Sequence, residues 1–78
     1  MDNHHLIQMA NRIGEFFAAM PDRAEALAGL ADHLTKFWEP RMRRQFLAEI
    51  DAGHAGELHE IVLAAVRAHR DALEPAAA

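Results

Sequence analysis

The sequence predicts an all-α fold, a small compact three- or four-helix domain. Three observations predict it. Apolar residues recur at steps of three and four, three prolines and four glycines divide those periods, and no alternating run is long enough for a strand. Much of the 51% hydrophobic content is alanine and tyrosine is absent, a balance that favours helices over strands. The 78 residues make one domain. A chain this short buries only about 60% of the surface its unfolded form exposes, so its stability is modest.

The first helix is expected at 3–19, with Asn3 as its N-cap. Leu6, Ala10, Ile13, Phe17 and Met20 form one face, and Ile7, Met9 and Phe16 widen it, so more than one side of this helix meets protein. Asn11, Arg12 and Glu15 are assigned to water. Gly14 is read as a glycine the helix tolerates rather than as a point of close backbone approach. Pro21-Asp22 ends this helix and starts the next, because proline cannot continue a helix but fits the first turn of a new one.

The second helix, at 22–38, carries the stripe Leu27, Leu30, Leu34 and Phe37, with Asp22 and Glu25 near its positive end. Glu39-Pro40 interrupts the period, since the residue before a proline is pushed out of the α region. The third helix, at 40–52, sets Met42, Phe46, Leu47 and Ile50 on one side and Arg41, Arg43, Arg44 and Glu49 on the other. Gly53 and Gly56 bracket a loop, the fourth helix is expected at 57–73, and 74–78 reads as a frayed tail.

Several function classes are excluded on composition. There is no cysteine, so neither redox thiol chemistry nor Fe–S ligation is available. Serine and tyrosine are absent too, and Thr35 is the single threonine, which leaves no nucleophile with an adjacent base. The six histidines lack the HExxH pattern and do not fall at ligand spacing. Gly53-His54-Ala55-Gly56 has neither the length nor the lysine of a phosphate loop. The expectation is a chain with no catalytic residue, no metal and no cofactor of its own. No apolar run approaches the roughly 20 residues that span a membrane, and Met1-Asp2-Asn3-His4-His5 is not the basic start of an export signal, so a cytoplasmic location is expected.

The charges are more informative. The formal net charge is −4, yet Lys36, Arg41, Arg43 and Arg44 place four of the eight basic residues within nine positions, around Trp38. Arginine and tryptophan are enriched at interface hot spots. The residues alone leave two readings open: a docking patch, or a solvated basic face over a buried tryptophan. Nucleic-acid binding through residues 41–44, by a free-standing helical regulator, is the alternative from another class. The acidic remainder of the chain opposes it.

Two stretches carry a resemblance. One is Leu6-Ile7-Gln8-Met9-Ala10-Asn11-Arg12-Ile13-Gly14-Glu15-Phe16-Phe17, and the other is Lys36-Phe37-Trp38-Glu39-Pro40-Arg41-Met42-Arg43. With the Pro21-Asp22 turn and the spacing of Gly29 and His33 between them, they resemble the delta subunit of soluble, NAD-dependent, molybdenum-containing formate dehydrogenase. The resemblance covers roughly residues 5–50. Beyond Asp51 the family tends to have a proline at the helix start, where this chain reads Leu58-His59-Glu60-Ile61.

The resemblance implies an accessory subunit of an enzyme that oxidises formate to carbon dioxide with NAD. It implies a complex holding bis-molybdopterin guanine dinucleotide, Fe–S clusters and FMN in its alpha, beta and gamma subunits, with none in this one. It implies contact with the large alpha subunit and support for assembly or molybdenum-cofactor insertion. On that basis the expected partner interface is Lys36, Trp38, Glu39, Arg41, Met42, Arg43 and Arg44, with Phe37 in the core stripe. Self-association of the isolated chain is a further expectation.

Overall fold

Five helices follow one another in the computed structural model, which describes residues 3–75. They are α1 (Asn3–Ala18), α2 (Arg23–Phe37), α3 (Pro40–Asp51), α4 (Glu60–Ala68) and α5 (Arg70–Leu73). Among the described residues there is no strand, and no helix is long and apolar enough to cross a membrane. Helices α1, α2 and α4 pack on one another, α3 lies against α1, and α5 closes against α2 and α4. The all-α expectation holds. Of the tail expected at 74–78, residues 76–78 lie outside the described residues.

The caps explain the first boundaries. Asp22 is the N-cap of α2, extended at φ −92° and ψ 114°, and its carboxylate accepts the Glu25 N–H at 3.0 Å. Trp38 and Glu39 are both extended, and Pro40 occupies the first turn of α3. Those two residues make the corner between α2 and α3. At the far end of α3, Gly53 takes a φ of 88°, and the N–H groups of Gly53 and His54 return to the carbonyls of Ile50 and Glu49. This is a Schellman closure, which needs a residue free to adopt the left-handed region.

The fourth helix departs from expectation at both ends. It starts at Glu60 rather than 57, because another group satisfies the backbone before it. The Asn11 side chain donates to the Glu57 carbonyl at 2.8 Å and accepts the His59 N–H at 2.9 Å. Asn11, assigned to water from the period, is instead the bracket that seats the 57–59 segment on α1. The expected run to 73 breaks at His69, with φ −126° and ψ 30°. Beyond the break Leu73 is buried and Arg70 reaches across to Asp51.

The core is built from Leu6, Ile7 and Ala10 of α1, Ala26, Leu30 and Leu34 of α2, Phe46 and Leu47 of α3, and Ile61, Val62, Ala65 and Val66 of α4. Trp38 and Leu73 complete it. On α2 and its C-cap the buried row is therefore 26, 30, 34 and 38, one step of four after another with Ala31 beside it, and not 27, 30, 34 and 37. On α1 the buried face is rotated in the same way: Leu6, Ile7, Ala10 and Gly14 are inside, while Ile13, Phe17 and Met20 lie at its border.

Candidate docking surface

Rotation of the α2 face decides what the joint presents. Because the row of four ends on Trp38, that indole is buried, 5% exposed, and packs edge to face on Phe46 with ring centroids 5.4 Å apart. Phe37 is 72% exposed. The expectation for these neighbours is thus reversed: Trp38 belongs to the core and Phe37 to the surface. Of the two readings that the residues left open, the buried tryptophan is the one the packing adopts.

Arg43 is also turned inward. Its guanidinium donates to the carbonyls of Leu73 at 3.0 Å, Trp38 at 2.7 Å and Thr35 at 3.2 Å. These carbonyls belong to the C-terminal ends of α2 and α5, where backbone acceptors have no helical partner. One cation therefore closes two helix ends, with the favourable sign for their dipoles. Met42 is half-buried and packs against the core. Neither side chain is free for a partner in the way the sequence suggested.

The remaining residues of the expected interface are exposed. Lys36 pairs with Asp32 at 3.1 Å, four residues back on the same helix. Glu39 caps α3 without a side-chain hydrogen bond. Arg41 and Arg44 are exposed, and among the described residues neither has a hydrogen bond or an ion pair.

A second feature adjoins this joint. Gly29, His33 and Phe37 form their own row of four on α2, beside the buried one. Phe17 of α1 lies over Gly29, where a Cβ would come within 2.7 Å of its ring. The rings then continue in series, Phe16 to Phe17 at 5.1 Å, Phe17 to His33 at 6.2 Å and His33 to Phe37 at 4.8 Å. Ile13, Phe16, Phe17 and His33 line an open hollow of about 400 Å³. Phe16 is 71% exposed, so with Phe37 it accounts for the large apolar side chains left outside among the described residues. The signal for this surface was present in the sequence as the apolar width of the first helix.

Three of the other histidines meet carboxylates. His4 meets Glu57 at 3.1 Å, His54 meets Glu49 at 2.8 Å and His59 meets Glu15 at 3.4 Å. Among the described residues no three potential ligands come together as a metal site. Arg23 and Glu60 form a further ion pair between α2 and α4.

The family model described as NADH-dependent formate dehydrogenase delta subunit, FdsD, matches residues 5–66. Neither a curated protein nor a solved structure matches the chain. The matched span takes in Asn11, the Phe16-Phe17 pair, Gly29, His33 and the whole α2–α3 joint.

Proposed function

Because the chain belongs to the family of NADH-dependent formate dehydrogenase delta subunits, we propose that it is a non-catalytic accessory subunit that docks on the large subunit and supports assembly of the active enzyme. Insertion or retention of the molybdenum cofactor in that large subunit is the step it assists. The chain contributes surface rather than chemistry. Its one threonine, Thr35, donates its hydroxyl to the Ala31 carbonyl at 2.8 Å and so is engaged in its own helix.

The observation that carries the docking reading is the α2–α3 joint, where Arg41 and Arg44 are exposed and have no partner among the described residues. Long cations left unpaired next to a rigid corner suit recognition of carboxylates on another chain. Trp38, Met42 and Arg43 serve this reading indirectly, by fixing the corner.

Two measurements test it. Deleting this chain while the other subunits are expressed should lower both molybdenum content and formate oxidation, and full metal loading would remove the insertion role. Arg41→Ala combined with Arg44→Ala should weaken co-purification with the large subunit while the isolated chain keeps its helicity. Undiminished co-purification would move the interface elsewhere.

A further inference from the structure

We infer that the row Phe16, Phe17, His33 and Phe37 receives an apolar side chain from a surface segment of the large subunit, and that the same segment carries a carboxylate for Arg41. This rests on the docking reading above and specifies the chemistry of the partner's contact.

Exposure is the first argument. A domain this small needs its apolar groups inside, yet Phe16 and Phe37 are 71% and 72% exposed. They stand at the two ends of a single series of touching rings. Scattered apolar residues on a surface are ordinary, but a contiguous aromatic set beside a hollow marks an interaction site.

The shape of the hollow is the second. Its lining of Ile13, Phe16, Phe17 and His33 holds no carboxylate, ammonium or guanidinium group. Phe17 forms its inner wall because Gly29 lets that ring sink onto α2. The space, about 400 Å³ and open to solvent, suits a large aliphatic or aromatic side chain presented by another surface.

Charge selects the occupant. Lys36 is already neutralised by Asp32, while Arg41, four residues beyond Phe37 and across the corner, has no partner among the described residues. A matching segment therefore pairs its apolar anchor with an acid.

The test uses the full chain co-expressed with the large subunit. Phe16→Ala and Phe37→Ala should each weaken co-purification about tenfold, as expected of hot-spot aromatics, with unchanged helicity in isolation. Replacing Phe16 by a photo-crosslinking phenylalanine analogue should capture a peptide of the large subunit with an apolar residue and an acid within one or two helical turns. Crosslinks to a second copy of this chain would overturn the inference, and so would co-purification indifferent to both alanine variants. If Arg41→Ala weakens the complex and the phenylalanine variants do not, the docking reading stands and this one falls. If the parent chain itself fails to co-purify, both fall.

Discussion

A Cβ built on Gly14 would lie 2.6 Å from Cγ2 of Val62 and 3.3 Å from Cγ2 of Ile61, so α1 and α4 meet there with no room for a methyl group. The glycine that the period marked as merely tolerated is a point of close approach. Val62 is wholly buried and β-branched, and its methyl sits one bond from Cβ, so it cannot swing aside. Gly14→Ala gains about 1 kcal/mol of helix propensity but incurs overpacking of about 1–3 kcal/mol. A net loss of stability is expected in urea unfolding. A rise in midpoint would contradict the close approach.

Asn11 offers a second test, because one amide holds both sides of the 57–59 segment. Asn11→Ala should cost about 1–2 kcal/mol, the loss of an N-cap acceptor with a stranded carbonyl beside it. Asn11→Asp keeps an acceptor for the His59 N–H near the start of α4 but loses the donor to the Glu57 carbonyl. Its thermal midpoint should therefore fall between those of the parent and the alanine variant.

Much of the fold was legible because the helical period, the prolines and Gly53 are local signals. The orientation of each helix was not. Leu34 permits a continuation to either Phe37 or Trp38, and the choice depends on Phe46 of α3 waiting at the corner. The start of α4 depends on Asn11, 46 residues away from Glu57, and no local pattern announces that bond. Within residues 36–44 the direction of each side chain was not legible either, because Arg43 looks like any other arginine until the C-terminal ends of α2 and α5 are brought together around it.

Arg43 should accordingly behave as a structural residue. Arg43→Ala strands three carbonyls at two helix ends and should cost about 2–3 kcal/mol, in the range of hydrogen bonds to a charged group. Arg43→Lys keeps the charge but replaces a planar fork by a point donor, so it should recover less than half of that loss. Chemical unfolding of the isolated chain measures both. An alanine variant as stable as the parent would show that the three bonds contribute nothing net.

The pair Asp51 and Arg70 gives a pH dependence of known sign. Hydrogen bonds from Arg70, at 2.8 Å to each carboxylate oxygen, hold the Asp51 carboxyl below its ordinary value of 3.8, with burial opposing and the guanidinium charge assisting. A carboxyl whose folded pKa is lowered stabilises the fold above its ordinary value, and that contribution disappears as pH falls through the lowered one. The stability difference between the parent and Asp51→Asn should thus be constant above about pH 5 and shrink toward zero in acid. Both groups are largely solvated, so added salt should reduce it as well. A difference independent of pH would mean that Asp51 acts through its packing alone.

Phe37 and Trp38 separate stability from docking within two adjacent positions. Trp38→Ala empties a core site against Phe46, with an expected loss of about 3–5 kcal/mol. That equals what a single small core supplies, so this variant should be largely unfolded and would fail to bind for that reason alone. Phe37 is exposed and contacts His33, so Phe37→Ala should change stability by no more than about 0.5 kcal/mol. Circular dichroism melts of the two variants make the comparison. Loss of structure in Phe37→Ala, or a stable fold in Trp38→Ala, would reverse the assignment of inside and outside at the joint.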